Sequence, residues 1–435
     1  MKKVLIITYY WPPSGGGGVQ RWLKFVKYLR EFGWEPIVYT PGNPEVPSLD
    51  ASLLSEVPHD IEIVKTKVWE PYSLYKQFIG KKKSEKINTG FLSESKKPKV
   101  TENLSVWIRG NFFIPDARKY WIKPSVRFLK KYLKENHVDA IVSTGPPHSM
   151  HMIALGIKKA MNLPWIADFR DPWTNIDFYD KLMLSRLADK SHHSKEQVVI
   201  RNADILTTVS WSWANDFKEM GAKRVEVITN GFDPSDFNSL KQASSDKFEL
   251  CHIGSMNKDR NPRILWEALA EVSNTTKGFL HDLKITLLGT TDHEVFEDIK
   301  CNGLMDKVEY VSYSPHKEVL QRAANSTLLL LPLNDTPNVA GIIPGKIFEY
   351  LALKKPILCI GPDTGDSARI IRETKSGEIV GFSAKNEMVS FINRYYKIFT
   401  DKNSTSHCTK GASISKYSRV ELTKKMAESL DSIIE

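Results

Sequence analysis

YYWPPSGGGGVQRWLKFVKYLREFG, residues 9–33, follows the apolar run Val4–Ile7 and sets four glycines between two prolines and a helical pattern. Glycine loses more conformational freedom on folding than any other residue. Four in a row therefore mark a place where backbone approaches something closely or takes dihedrals closed to other residues. An apolar strand, a glycine turn and a helix, in that order, open a βα unit. In such a unit the turn delivers backbone amides and a positive helix end to a phosphate or another polar ligand. The spacing is not G-x-G-x-x-G, and no Gly-Lys-Ser or Gly-Lys-Thr follows to make a Walker loop.

Outward from this stretch, apolar β-branched runs alternate with amphipathic helical patterns. The first series is KVLIITYY, EPIVYTP, VDAIVSTG, PWIADFR, ADILTTVS and RVEVITNG; the second is KFELCHIGS, LKITLLGT, VEYVSYS, STLLLLPL, KPILCIG and SGEIVG. Strands apolar along their whole length belong to parallel sheets covered on both faces, so the fold class is α/β with two doubly wound domains. A length of 435 residues exceeds one core and agrees with two. GFDPSDFNSLKQASSDK replaces periodicity with Pro, Ser, Asn and Gly, which places the boundary near residue 240. The expected domains are 1–240 and 241–411, followed by a C-terminal helix over 412–435.

Composition excludes several classes. Hydrophobic content of 41% with 26% charged residues is that of an ordinary globular chain. The opening apolar run stops at Pro12 and Pro13, too early for a leader, and no later run is long enough to span a bilayer. The four cysteines, at 251, 301, 359 and 408, form no C-x-x-C pair, so neither a zinc site nor a disulfide framework is expected, and a cytoplasmic location is. Of the net charge of +10, the segment from Tyr75 to Glu135 carries 16 Lys and Arg against 5 Asp and Glu, leaving the rest of the chain near neutral. Aromatics interleave with these cations. The segment suits an anionic membrane surface or a lipid-linked substrate, with Lys81, Lys82, Lys83, Lys96 and Lys97 as cations and Trp107, Phe112, Phe113 and Trp121 for insertion. A solvated insertion is the plainer reading, and nucleic acid a rival partner that we set aside.

The second series repeats the phosphate-binding architecture. HIGSMNKDRNPRILWEAL places Gly254 at a strand end, with Lys258 and Arg260 ahead of the next helix, where cations suit a diphosphate. LPLNDTPNVAGIIPGKIFEYLALKKPIL brings Gly345 and Lys346 to a helix start, with Glu349 one turn along the same face. Exposed amides and a lysine hold phosphate, and a carboxylate accepts two hydrogen bonds from a ribose diol.

Six segments in this order, YYWPPSGGGGVQR, IADFRDPW, VITNGFDP, HIGSMNKDRNP, YVSYSPHKEVLQRAANSTLLLLPL and GIIPGKIFEYLALKKPIL, resemble those of a family 4 glycosyltransferase of bacterial surface polysaccharide biosynthesis. The resemblance implies the GT-B fold, two Rossmann-like domains facing a cleft, with the last helix crossing back onto the first. It implies a nucleotide-sugar donor as substrate and no cofactor. It implies that Glu349 meets the donor ribose, that Lys346 and Gly345 lie by the phosphates, and that Arg260 or Lys258 is the diphosphate cation. Gly254 belongs to that loop, and Gly16 and Gly17 to the N-terminal glycine loop that closes on donor phosphate or acceptor. One departure stands out: the family often carries Glu, seven residues, then a second Glu, and Gly341 occupies the first position. The missing carboxylate leaves the identity of the sugar open.

His148, Asp168 and Asp171 sit just past first-domain strand ends and are the candidates for positioning the acceptor, with one of the carboxylates as general base if the enzyme inverts; the plainer readings are a helix cap or an ion pair with Arg170 for Asp168 and a turn residue for His148. No Asp-x-Asp occurs, so no metal is expected, and catalysis should rest on stabilising the leaving nucleoside diphosphate. The expected reaction is transfer, retaining and metal-independent, to a glycan or lipid-linked acceptor at the inner face of the plasma membrane. A GT-B nucleotide-sugar epimerase and a non-catalytic nucleotide-sugar-binding protein are the alternatives.

Overall fold

A computed structural model describes residues 1–46, 48–70, 100–241, 245–401 and 414–434. Lys81, Lys82, Lys83, Lys96 and Lys97, and Cys408, lie outside the described residues. The chain divides into two units, Met1–Thr229 together with Arg419–Glu435, and Asn230–Ser418. The divisions fall about ten residues before and seven after the positions read from composition, because GFDP and the turn at Tyr417 pair within the second unit through Phe232 N donating to Tyr417 O.

The first unit is built on β1 (Lys2–Ile7), β2 (Trp34–Pro41), β3 (Glu62–Thr66), β4 (Ala140–Gly145), β5 (Trp165–Phe169), β6 (Ile205–Thr208) and β7 (Val225–Val227). They form one parallel sheet in the order β3-β2-β1-β4-β5-β6-β7. The second holds β8 (Phe248–Ile253), β9 (Leu283–Leu288), β10 (Val308–Val311), β11 (Leu328–Pro332), β12 (Ile357–Ile360) and β13 (Gly377–Val380), parallel in the order β10-β9-β8-β11-β12-β13. In each sheet the order reverses between two neighbouring central strands, β1 and β4 in one, β8 and β11 in the other. The loops leaving those strands diverge, and in open α/β sheets the crevice they leave is where ligands bind. β3, EIVKT, is the strand that the sequence pattern did not reveal; it is a partly exposed edge strand and lacks the apolar run of its neighbours.

Helix α1 (Gly17–Tyr28) follows the glycine turn and buries Val19, Trp22, Leu23, Phe25 and Val26 against the sheet. This stripe at helical spacing holds the N-terminal turn in place. Helix α2 (Val100–Phe112) and helix α3 (Lys119–Glu135) come from the basic segment. Trp121 on α3 is not available for membrane insertion: it is buried, stacked on Tyr39 at 5.1 Å, and its indole N–H donates to Thr66 Oγ1 at 2.9 Å. Trp107 and Phe112 are exposed, as are Trp69 and Tyr120, and Phe113 is partly so. Helix α4 (Ser149–Met161) starts after β4, and helix α5 (Arg186–Asn202) packs beyond β5.

The second unit carries helix α6 (His316–Asn325) and helix α7 (Lys346–Leu353), each at the C-terminal side of a strand. Its core joins Leu250, Ile285, Leu330 and Leu358 from the sheet to Trp266, Leu269 and Phe391. The last helix, α8 (Arg419–Ile434), belongs to the first unit. Leu422, Met426, Ala427 and Leu430 enter the same core as Trp22 and Val26, and Asp431 accepts from Lys2 Nζ at 2.8 Å and from Trp34 Nε1 at 3.1 Å.

Candidate functional site

In the first unit the loops after β1, β4 and β5 meet at the switch point. The four glycines differ in what they do. Gly16 caps α1 at φ 102°, a conformation that favours glycine, and Gly16 and Gly17 are exposed with open space on the side where a Cβ would stand. No acidic residue occupies the first turn of α1. A Cβ on Gly18 would stand 2.0 Å from Arg170 Nη1, so glycine there admits the guanidinium. Arg170 in turn donates through Nε to Gly145 O at 3.2 Å and through Nη2 to Pro146 O. One arginine thereby ties the glycine turn to the loop that ends in His148.

Asp168 is not the exposed carboxylate that its position suggested. It is fully buried and accepts from Arg21 Nε and Nη2 at 3.2 and 2.9 Å, Trp22 Nε1 at 2.8 Å, Thr144 Oγ1 at 2.9 Å and Thr207 Oγ1 at 2.8 Å. Burial alone would raise its pKa, but Arg21 and these donors hold it below the usual carboxylate range. A carboxylate so occupied has no lone pair left for a substrate proton. Its counter-ion is Arg21 on α1, not Arg170 beside it. Asp171 differs: it is half-buried, and burial pushes its carboxyl upward, with the Asp177 and Asp168 charges adding to the shift and Arg170 opposing it.

His148 is buried and lies flat on Trp173, ring centroids 4.5 Å apart and planes 3° apart. Trp173 is itself fixed, its indole N–H donating to His192 Nδ1 at 3.0 Å, while Glu196 accepts from Trp173 N at 3.2 Å. His192 Nε2 lies 3.3 Å from Gly110 O on α2, and as Nδ1 accepts, Nε2 is the donor. Burial drives the His148 pKa well down, and the His151, Arg170 and His192 charges lower it further. Ser149, the next residue, donates from N and Oγ to Asp116, both at 2.8 Å, which anchors the start of α4.

In the second unit Gly254, Arg260, Lys346 and Glu349 come together beyond β8 and β11. Gly254 sits at φ +87°, and a Cβ there would be 3.2 Å from Lys346 Nζ, so both dihedral and space call for glycine. Arg260 is aimed by Nε donating to Asn334 Oδ1 and Nη1 donating to Ser255 O, both 3.0 Å. Lys346 Nζ is 3.3 Å from His252 Nε2. His252 Nδ1 gives its proton to Leu330 O at 2.9 Å, which leaves Nε2 as the acceptor for the lysine. Burial lowers the Lys346 pKa to about 7, with Arg260 pushing the same way and Glu349 opposing. Glu349 takes a hydrogen bond at 2.9 Å from His316 Nε2 at the start of α6. Gly345 precedes α7 in open space, and Lys258 is exposed on the turn before Arg260. Gly341, in place of the family's first Glu, is buried in a 3-10 turn.

Sequence reading missed Arg21, Asn334, His252 and His316, and it raised Arg170 only as an ion-pair partner for Asp168. Arg21 lies inside a helix repeat and His252 inside an apolar strand, where a polar residue gives no signal of its own. Trp173 stood in the quoted IADFRDPW, and the His148, His151 spacing of three was visible in PPHSMH.

Residues 90–236 match the Glycosyltransferase Family 4 model. No curated protein sequence matches the chain. Among solved structures, a glycosyltransferase from Rickettsia africae ESF-5 is similar at a TM-score of 0.61 and 15% identity, covering 100% of this chain and 99% of that one. Anabaena Alr3699/HepE, in complex with UDP-glucose, matches at 0.61 and 14%, over 99% and 100%. An α,α-trehalose-phosphate synthase (UDP-forming) from Burkholderia vietnamiensis matches at 0.62 and 10%, over 100% of both chains. These likenesses establish the fold, that of the GT-B glycosyltransferases. The family match, over residues 90–236, falls almost wholly in the first unit and agrees with the resemblance of the motifs.

Proposed function

We propose that the protein transfers a sugar from a nucleoside-diphosphate sugar to a glycan or lipid-linked acceptor of the bacterial surface, with retention and without a metal. The observation that carries the donor half is the convergence of Gly254, Arg260, Lys346 and Glu349 at the switch point of the second sheet. Breaking the bond between the anomeric carbon and the β-phosphate oxygen leaves negative charge on the nucleoside diphosphate. Arg260 and Lys346, with Lys258 and the amides at Gly345, are the groups that stabilise it, and no covalent chemistry by the protein is required. Glu349 takes the ribose hydroxyls, with His316 orienting its carboxylate. The UDP-glucose bound to the Anabaena protein supports a UDP-sugar as the first donor to try.

The acceptor half rests on the first unit. Gly16 and Gly17 present amides at the start of α1, while His148 and the half-buried Asp171 supply polar groups beside Arg170. The occupied state of Asp168 removes one general base that inversion would have used and favours retention. Trp107, Phe112, Trp69 and Tyr120, on or beside the basic segment, support peripheral docking of this unit on anionic lipid; among the described residues no helix is long and apolar enough to cross a membrane.

A thermal-shift screen of nucleotide sugars, followed by measurement of nucleoside diphosphate released with and without a polyprenyl-linked glycan, tests the reading. Acceptor-dependent release is expected. Conversion of the sugar nucleotide without acceptor would mean an epimerase, and binding without either reaction a non-catalytic protein.

A further inference from the structure

His148 and His151 sit among groups that bear on their proton positions. Trp165 Nε1 can only donate, and it donates to Ser143 Oγ at 2.9 Å. The same oxygen lies 2.8 Å from His151 Nδ1. Ser143 keeps its own hydroxyl hydrogen to give, and giving it to His151 Nδ1 leaves the neutral ring of His151 with its proton on Nε2, on the side of His148. Burial lowers the His151 pKa to about 3, and His148 is likewise held neutral. His151 is fully enclosed and stacked on Phe169 at 4.4 Å, so its ring cannot swing to another partner.

His151 Nε2 and His148 Nδ1 are both buried without a hydrogen-bond partner. They face one patch of backbone: a Cβ on Gly145 would stand 2.6 Å from the first and 3.1 Å from the second. Buried polar atoms go unpaired rarely and at a cost, so two that converge where glycine leaves the space free belong to one hydrogen-bonded unit.

We propose that His151 is a positioning residue whose Nε2–H serves the Nδ1 lone pair of His148 through one bridging water, and so fixes the His148 proton on Nε2. His148, pressed flat on Trp173, then offers an N–H donor to a substrate oxygen and is not a base. What that donor meets rests on the glycosyltransferase reading; the tautomer does not.

Neutron diffraction from crystals of the full chain exchanged into D2O near neutral pD reads the deuterons directly. The expected result is deuterium on Nε2 of both rings and none on Nδ1 of His148. In His151→Phe, which keeps a ring over Phe169 and removes both nitrogens, the His148 deuteron should divide between Nδ1 and Nε2; His151→Gln, whose amide N–H reaches toward the former Nε2 position, should restore it to Nε2. With the nucleotide sugar that the thermal screen selects, kcat should fall severalfold in the Phe variant with donor KM unchanged, and recover in the Gln variant. A deuteron on His148 Nδ1 in the unmodified protein overturns the proposal even if no variant folds, and so does a His148 tautomer that ignores His151→Phe. Absence of any sugar transfer alongside the expected deuterons would defeat the functional reading and leave this one standing.

Discussion

Lys346 is pulled in two directions, since burial and Arg260 favour its neutral form while Glu349 favours the charged one, and near pH 7 it is divided between them. A diphosphate binds the charged form better. Affinity for nucleoside diphosphate should therefore be greatest below pH 7 and weaken as pH rises through the lysine's pKa of about 7, approaching tenfold per pH unit if only the protonated lysine binds. Calorimetry from pH 6 to 8.5 checks this against Lys346→Ala, which keeps the titration of the phosphate itself; parallel curves would remove the lysine from the site. Glu349→Gln should weaken the same binding by about 1 to 3 kcal/mol, the usual loss for a hydrogen bond to a charged group. An unchanged affinity would place Glu349 outside the ribose site. For Asp168 the expectation concerns folding instead. Asp168→Asn leaves Arg21 buried without its counter-ion, and such half-removed pairs cost about 3 to 5 kcal/mol. Denaturant unfolding should show that loss at neutral pH. It should show less of it in acid, because a carboxyl with a lowered folded pKa contributes stability above its unfolded pKa and loses it as pH falls through the folded one.

Among the elements, the parallel strands were legible because strands buried on both faces must be apolar throughout, and the glycine turn was legible because the residues on either side of it were a strand and a helix. β3 was not, since an edge strand can carry Glu62 and Lys65 without penalty. Gly254, Arg260, Lys346 and Glu349, which we propose hold the donor, could be picked out because glycine, cations and a carboxylate at strand and helix ends carry a local signal. Their partners His252, Asn334 and His316 could not, because each acts on a residue far away in sequence, and no local pattern records that. Asp168 is the instructive error: a carboxylate at a strand end reads as exposed until the arginine from α1 is seen to reach it. The last helix makes a prediction at this scale. Leu430 is fully buried in the core shared with α1, and Leu430→Ala should cost about 2 to 5 kcal/mol, measured as a lower denaturation midpoint. A change within error would mean that α8 merely covers the first unit.

At the scale of the whole molecule, the charge is the informative quantity, because all of the net +10 comes from one segment of the first unit. Each cation near an anionic bilayer contributes about 1 kcal/mol at most, screened over a Debye length of about 8 Å at physiological salt, so only several together hold a protein there. Liposomes with anionic lipid should sediment the protein at low salt and release it at high salt, and replacing Lys81, Lys82, Lys83, Lys96 and Lys97 by Gln should abolish the effect. Equal binding to neutral vesicles, or none to either, would defeat membrane docking without touching the transferase assignment.

Because α8 completes the core begun by α1, the second unit is spliced into the first: the chain leaves one core after Thr229 and returns to it only at Arg419. During synthesis, then, the amino-terminal sheet emerges early yet must wait for almost the whole polypeptide before its surface at Trp22 and Val26 is covered, while the unit made later can mature ahead of it. A stop codon or proteolytic nick near the carboxyl end would strike the oldest part of the nascent chain, and the fault would surface as aggregation of the half that was translated first.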